Sequence, residues 1–186
     1  MFLKTLSLEH YRQPDEYVDW EHPAVRAKAL ELAGGKDSDE AVAASCFAFV
    51  RDQIKHSGDF RMNPITCKAS DVLSSGTGFC FAKSHLLAAL LRANGIPAGL
   101  CYQRVRIAGE TPFYYLHGLN AIYLKRFGWY RVDARGNKPG VAAEFCPPSE
   151  KLAYLCDAPG EKNFGSVLAS PHPLIVETLT RCKTVE

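Results

Sequence analysis

The strongest hydrophobic pattern in the chain predicts a helix that begins near Cys80 and stops at Asn94-Gly95. Four residues fall at i, i+4, i+7 and i+11 and share one helical face: Cys80, Ser84, Leu87 and Leu91. Neighbouring Ala, Leu and Phe residues widen this face into an apolar stripe. Asn-Gly is a natural helix stop, and Pro97 prevents the helix from resuming. We therefore expect the rest of the chain to be organised around this helix.

Further helical segments are predicted upstream, over residues 23–33, 38–54 and 69–74. Pro23 suits a first helical turn, and Gly34-Gly35 closes that helix. Ser38 is the predicted N-cap of the next helix. Residues 56–68 carry several breakers and are predicted to be a loop. The first half of the chain is therefore expected to be helical.

After Pro97 the pattern changes to short aromatic and β-branched segments, which predict strands over 99–107, 113–124 and 129–134. A turn is expected at 109–112 and a hairpin connection at 125–128. Helices followed by an antiparallel meander predict an α+β fold. Residues 136–186 contain many Pro and Gly residues and are predicted to wrap around this core, with a closing helix near 176–180.

Composition limits the classes of protein that this chain can represent. With 186 residues, 47% apolar and 23% charged, it fits one globular domain, which we predict to span 1–186 with its core at 38–135. A net charge of +2 without Lys/Arg runs gives no reason to expect nucleic acid or a membrane as a partner. The seven cysteines are odd in number and contain no CxxC pair, so we expect a reducing cytoplasm and neither metal nor cofactor.

Cys80 is the candidate nucleophile. A cysteine in the first turn of a helix faces free backbone N–H groups and the positive end of the helix dipole, and both favour the reactive thiolate. Gly76 and Gly78 leave room for a substrate to approach the sulfur. The alternative is that Cys80 is a small buried hydrophobic residue, as most free cysteines are.

A base for Cys80 is sought among six histidines. His85 lies about 140° further round the same helix and does not meet the sulfur easily. His117 opens a predicted strand, and Asp133 follows sixteen residues later in the next strand. The two share a face only if the hairpin loop has an odd number of residues, and Gly128 suits the left-handed position of a three-residue loop.

Together these residues fit nucleophilic catalysis, with Cys80 as nucleophile, His117 as base and Asp133 orienting the imidazole. The backbone N–H of Cys80 is the first candidate oxyanion donor. Gln103 and Gln53 are candidates for the second, and the sequence does not choose between them. Nearby aromatic residues either line a substrate cleft or belong to the core: Phe79, Tyr102, Tyr115 and Trp129.

The segments GTGFC, LLAALLRANGIPAGL, HGLNAIYL and GWYRVDA resemble the transglutaminase-like superfamily, a branch of the papain-like cysteine enzymes. The resemblance implies a catalytic triad of Cys80, His117 and Asp133. It also implies a papain-like α+β fold in which the cysteine helix packs on an antiparallel sheet bearing the other two residues. His56 stands where many members of the superfamily have a tyrosine.

The function implied is acyl transfer from a peptide or glutamine-type amide through a thioester. Water as the acceptor gives a protease or amidase, which we favour, and an amine gives a protein-glutamine transglutaminase. A catalytically silent binding or scaffold module is the alternative from another class, and arylamine acetyl transfer fits the residues around Cys80 poorly. The expected partner is a peptide or protein substrate, and the oligomeric state is left open.

Overall fold

The computed structural model describes residues 7–106 and 113–185, which form helices followed by an antiparallel sheet. A short 3-10 turn spans Leu8–Tyr11. The helices of the described residues are α1 (Pro23–Ala33), α2 (Asp39–Gln53), α3 (Ser57–Phe60), α4 (Ala69–Ser75), α5 (Cys80–Ala93) and α6 (Pro173–Arg181). The strands are β1 (Lys55–His56), β2 (Thr77–Gly78), β3 (Ala98–Val105), β4 (Tyr115–Leu124), β5 (Gly128–Val132), β6 (Glu144–Cys146), β7 (Ser149–Lys151) and β8 (Lys162–Asn163). The predicted α+β class is confirmed.

The helix end signals in the sequence act as expected. Pro23 occupies the first turn of α1, which ends just before Gly34. Ser38 caps α2, and its hydroxyl accepts a hydrogen bond from the Ala41 amide at 3.2 Å. Both helices therefore lie within a residue or so of their predicted bounds, because their ends are fixed by local chemistry.

The predicted loop over 56–68 contains structure that the sequence pattern did not show. Strand β1 pairs in parallel with β2, with His56 beside Gly78. The buried hydroxyls of Ser57 and Thr77 lie 3.0 Å apart, and Thr77 also donates to the Lys55 carbonyl. These polar side chains satisfy one another within the fold instead of facing water. As a result, His56 is fixed beside the residues that lead into Cys80.

Helix α5 is the centre of the molecule, and it is buried on nearly every side rather than along a single stripe. Its buried polar side chains are satisfied by backbone carbonyl groups. The Arg92 guanidinium donates to the carbonyl groups of Ala98, Gln13 and Ala169, which joins three distant segments. The Lys83 ammonium group donates to the Ile54 carbonyl at the end of α2. The helix is therefore held by polar anchors as well as by apolar packing.

The four-stranded sheet has the order β5-β4-β3-β8. Strands β4 and β5 are joined by a three-residue loop, with Leu124 opposite Gly128. Gly128 has a φ of +76°, the left-handed conformation that such a loop requires at this point. The first strand is predicted to end at residue 107, which lies outside the described residues. The predicted turn at 109–112 also lies outside them. The odd loop length sets which side chains of β5 share a face with those of β4.

The segment after β5 wraps around the core with little regular structure. Strands β6 and β7 form a small hairpin, and β8 adds a two-residue edge to the sheet beside β3. Helix α6 then packs through Ile175 and Leu179. Its N-cap is His172, whose Nδ1 accepts from the Leu174 amide at 3.3 Å.

Helix α5 approaches the sheet most closely at Gly118 in β4. A Cβ atom at this position would lie 2.6 Å from the Phe81 ring and 3.1 Å from the Phe81 Cα. Two residues further along β4, the Asn120 amide donates to the Ser84 carbonyl of α5 at 2.9 Å and to the Gly99 carbonyl of β3 at 3.2 Å. The first turn of α5 is therefore pressed against β4 where a side chain is missing.

We expect Gly118→Ala to lower the free energy of unfolding by about 1–3 kcal/mol, because the added methyl group overpacks against the helix backbone. The same change should slow alkylation of Cys80, since it pushes the first turn of α5 away from the sheet. Urea unfolding and iodoacetamide labelling measure the two effects. Gly165→Ala is the control, because an added Cβ there meets nothing within 4 Å and should change stability by less than about 0.5 kcal/mol. Equal behaviour of the two variants would contradict the prediction.

Candidate active site

Cys80 is the first residue of α5, and its side chain lies in the contact between the helix and the sheet. The residue is 8% exposed. The amide of Gly118 donates to its Sγ at 3.5 Å, which is within the range for a hydrogen bond to sulfur. Phe79 precedes it as N-cap and makes no side-chain capping bond. The free N–H groups of this helix start are therefore available to a group that approaches the sulfur.

His117 and Asp133 lie on one face of the sheet and contact each other. Asn120 pairs with Val132, so Asp133 falls opposite Leu119, two residues from His117 along β4. The imidazole Nε2 of His117 donates to the Asp133 Oδ2 at 2.8 Å. The pair is almost fully buried, with 3% and 1% of the two residues exposed. The three-residue loop between β4 and β5 thus brings together the two side chains that the sequence analysis paired.

Two backbone amides complete the surroundings of the Asp133 carboxylate. The Arg135 amide donates to Oδ1 at 3.2 Å, and the Ala153 amide donates to Oδ2 at 3.1 Å. Burial raises the pKa of Asp133, but the His117 charge and these hydrogen bonds outweigh it and hold the pKa below its ordinary value. The carboxylate is therefore ionised and fixed in orientation.

The same contacts act in the opposite direction on His117. Burial lowers the pKa of this imidazole, but the charge of Asp133 and the interaction with Cys80 raise it well above its ordinary value. The Cys80 sulfur lies next to the imidazole, since the adjoining Gly118 amide donates to it. Because Nε2 is bound to Asp133, Nδ1 is the ring nitrogen left for the sulfur. The structure thus brings Cys80, His117 and Asp133 into one chain of contacts, with the imidazole in the middle.

His56 also belongs to this site, although the sequence analysis gave it only a place in a loop. Its Nδ1 accepts from the Asp59 amide at 3.3 Å and caps α3. Burial and the charge of Arg135 lower the pKa of His56 to about 3, so the ring is neutral and its proton is on Nε2. The ring lies edge-on to Phe79, with the centroids 5.7 Å apart. Its position, where many members of the resembled superfamily have a tyrosine, is the sequence signal that could have identified it.

Tyr154 covers His117 from the wrapping segment. The two rings are edge-on with centroids 4.8 Å apart. The guanidinium of Arg135 lies 6.0 Å from the Tyr154 ring and forms a bidentate ion pair with Asp59, at 2.7 and 3.0 Å. No periodicity or motif in the sequence of this segment could have shown that Tyr154 reaches the imidazole.

The remaining predicted site residues lie in different surroundings. The amide group of Gln103 is buried opposite His117, but it donates to the Tyr154 carbonyl and to Asn163, so we leave it out of the oxyanion hole. Gln53 is exposed at the end of α2.

Among the aromatic residues, Phe79 flanks the nucleophile, and Tyr102 lies near Phe81 with ring centroids 6.2 Å apart. Tyr115 is half-exposed at the start of β4. Trp129 pairs with Tyr123, six residues along β4 from His117, which is about 20 Å in a strand. It packs on Tyr11 at the far end of the sheet, and this corrects its assignment to the cleft.

Comparison with known protein families shows which family this chain matches. The family model of the transglutaminase-like superfamily matches residues 26–134, more than half of the chain, and the match includes Cys80, His117 and Asp133. The chain belongs to the transglutaminase-like superfamily. No curated protein matches it by sequence.

Two solved structures share the fold. A structure described as a "putative cysteine protease" from Cytophaga hutchinsonii superposes with a TM-score of 0.56 at 19% identity, over 86% of this chain and 52% of its own. The periplasmic domain of TgpA from Pseudomonas aeruginosa superposes with a TM-score of 0.51 at 21% identity, over 70% of this chain and 48% of its own. The chain thus spans about half the length of these structures.

Within residues 7–106 and 113–185, no three His, Cys, Asp or Glu side chains are grouped in a way that could hold a metal ion. Across the same residues, every helix is too short or too polar to cross a bilayer.

We expect the two site histidines of this superfamily member to differ in protonation at pH 7. His117 should be an imidazolium because Asp133 and Cys80 stabilise its charge, and His56 should be neutral with the proton on Nε2. Nitrogen-15 NMR of the histidine-labelled protein distinguishes these forms. Asp133→Asn should lower the pKa of His117, while the control Asp157→Asn, an exposed acid, should not. A neutral His117 at pH 7 in the unchanged protein would contradict this assignment.

Proposed function

We propose that the protein is a cysteine-dependent acyl-transfer enzyme that hydrolyses peptide or glutamine-type amides through a thioester. The observation that carries the proposal is the buried chain of contacts from Cys80 through His117 to Asp133, at the start of a helix. A cysteine with a histidine in contact and a carboxylate behind it is the arrangement that nucleophilic catalysis requires.

In the first half of the proposed reaction, His117 holds the proton of the Cys80 thiol, and the resulting thiolate attacks the amide carbonyl carbon. The C–S bond forms, and the carbonyl oxygen becomes an oxyanion. His117 gives its proton to the amide nitrogen, the C–N bond breaks, and the amine or ammonia leaves. The raised pKa of His117 supports this role, because the imidazole holds a proton to donate at neutral pH.

In the second half, a water molecule attacks the thioester. His117, now neutral, takes a proton from the water, the C–S bond breaks, and the acid product leaves with Cys80 restored. Asp133 accepts from Nε2 at 2.8 Å in both halves, so Nδ1 keeps facing the sulfur. The ion pair that forms when the imidazole is protonated stabilises each charged step.

For the oxyanion we propose two donors, the Cys80 backbone N–H and the Nε2–H of His56. His56 is neutral, its other nitrogen is occupied by the Asp59 amide, and β1 holds it next to Gly78. Among the described residues, none accepts a hydrogen bond from Nε2. A donor that is fixed before the reaction stabilises the oxyanion without reorganisation.

We propose water rather than an amine as the acceptor, with a peptide or protein as substrate. The solved neighbour from Cytophaga hutchinsonii is named for protease activity, which is in keeping with hydrolysis. We also propose a reducing compartment such as the cytoplasm, because all seven cysteines are free thiols and four of them are buried.

Cys80→Ala should abolish ammonia release from a glutamine peptide and cleavage of a peptide panel, and His117→Ala should slow both by about 10²–10⁴-fold. Cys182→Ala, which removes an exposed thiol, is the control and should keep full activity. Iodoacetamide should label Cys80 ahead of the buried Cys46, Cys67 and Cys101, since burial raises the pKa values of these three thiols to about 12. Adding an amine to the assay distinguishes hydrolysis from transfer of the acyl group to an amine. Amine incorporation without hydrolysis indicates a transglutaminase, and labelling of Cys80 no faster than a buried thiol indicates a binding module.

Loss of the His56 donor should lower kcat by about 10²–10³-fold without slowing alkylation of Cys80. Alkylation by iodoacetamide passes through no oxyanion, so only the amide reaction depends on this donor. His56→Ala also removes the cap of α3, and His56→Asn is therefore the matched variant, because asparagine keeps the cap but is too short to reach the oxyanion. Full kcat in His56→Asn would remove His56 from the mechanism.

A further inference from the structure

An apolar hollow of about 350 Å³ lies between the sheet and α6. This volume is within the range of sites that bind small molecules and side chains. No Asp, Glu, Lys or Arg among the described residues lines it. Its apolar walls come from the sheet, from the loop after β8 and from α6: Tyr102, Leu116, Phe164, Leu168, Leu174 and Ile175.

The hollow lies next to the proposed reaction centre, on the face of β4 opposite the His117 side chain. Leu116 is the residue before His117, and its side chain lies on the same face of β4 as Gly118. Tyr102 pairs with Gly118 across the sheet. The Gly118 amide in turn lies 3.5 Å from the Cys80 sulfur. A chain bound at the sulfur therefore has the hollow beside it.

The rim of the hollow exposes large apolar side chains that a folded protein normally buries. Leu116 is 44% exposed, and Leu174 on α6 is 64% exposed. Phe164 is 38% exposed and faces them from the loop after β8. Contiguous exposed apolar side chains mark a binding surface more often than a chance feature.

The α6 wall is fixed in place and lies outside the part of the chain that defines the family. Ile175 and Leu179 are buried, and the Tyr102 hydroxyl accepts from the His172 amide at 3.1 Å. The family match ends at residue 134, so this wall lies outside the matched core. A rigid wall beside the nucleophile is suited to selecting substrates.

We infer that the hollow binds a large uncharged apolar side chain, such as that of Leu or Phe, on the acyl-donor peptide next to the scissile amide. This inference rests on the proposed function, because it places the acyl group on Cys80. The apolar walls favour such a side chain by burying its surface. Ser166 and His172 also line the hollow, and the His172 Nδ1 is taken by the Leu174 amide. No Asp, Glu, Lys or Arg among the described residues of the lining is present to pair with a buried Asp or Lys side chain, which disfavours both.

The test uses acetyl-amino-acid chloromethyl ketones, which carry the side chain in question beside the reacting carbon. The Cys80 sulfur displaces chloride, so a C–S bond forms as the C–Cl bond breaks, and the thiol proton is lost to solvent. The rates for the Phe, Leu, Gly and Asp reagents are each divided by the iodoacetamide rate of the same protein. We expect the Phe and Leu ratios to exceed the Gly and Asp ratios by at least about tenfold.

Leu174→Asp should lower the Phe-to-Gly preference by at least about fivefold, because it places a charge on the wall. Leu30→Asp is the matched control, since Leu30 is 66% exposed on α1 and does not line the hollow. Phe164→Ser is a second variant, for the case that Leu174→Asp fails to fold.

Three outcomes would overturn the inference, and they differ in what they leave standing. Reaction of Cys80 with every reagent but without preference, or a preference that neither variant changes, refutes the apolar subsite and leaves the proposed function intact. No reaction of Cys80 even with iodoacetamide refutes the proposed function as well. Dimerisation in analytical ultracentrifugation that Leu174→Asp abolishes, with an unchanged reagent preference, assigns the hollow to a second copy of the chain.

Discussion

The close approach of α5 to β4 at Gly118 is the constraint on which the site depends. The sulfur of Cys80 and the imidazole of His117 belong to elements that are far apart in the chain, and they meet only where the helix start touches the strand. A side chain at position 118 would overlap Phe81, so glycine is required for this contact. Asn120 then joins the helix to both central strands through hydrogen bonds. The nucleophile is thus positioned by packing of rigid elements and not by a loop.

A line of polar contacts joins the two sides of the site. Asp133 accepts from the Arg135 amide, and the Arg135 guanidinium binds Asp59 in a bidentate pair. The Asp59 amide in turn occupies Nδ1 of His56. Burial, with the charge of Arg135, lowers the pKa of His56, whereas the charge of Asp133 raises the pKa of His117. Two charged residues at the end of β5, two positions apart, thus act in opposite directions on the two histidines.

The features that could be predicted from sequence are those fixed by local chemistry. The bounds of α1 and α2 follow from Pro23 and Ser38, and the shared face of His117 and Asp133 follows from Gly128 and the loop length. The features that could not be predicted depend on contacts between distant segments. Tyr154 reaches His117 from a segment without periodicity, and Trp129 packs on Tyr11 from a distant N-terminal segment. The resemblance to the superfamily predicted the order of the three triad residues along the chain, but it did not predict which residues surround them.

The two sides of the proposed site differ in polarity, and the proposed reaction explains how this difference contributes to function. His56, Asp59 and Arg135 make one side polar, whereas Leu116, Tyr102 and α6 make the other apolar. During acyl transfer, the acyl part stays bound to sulfur through both half-reactions, while the amine leaves and water enters. Contacts with the acyl part therefore act on both transition states, and contacts with the leaving group act only on the first. An apolar wall therefore selects substrates most effectively on the acyl side, because there it contacts the substrate in the transition states of both half-reactions.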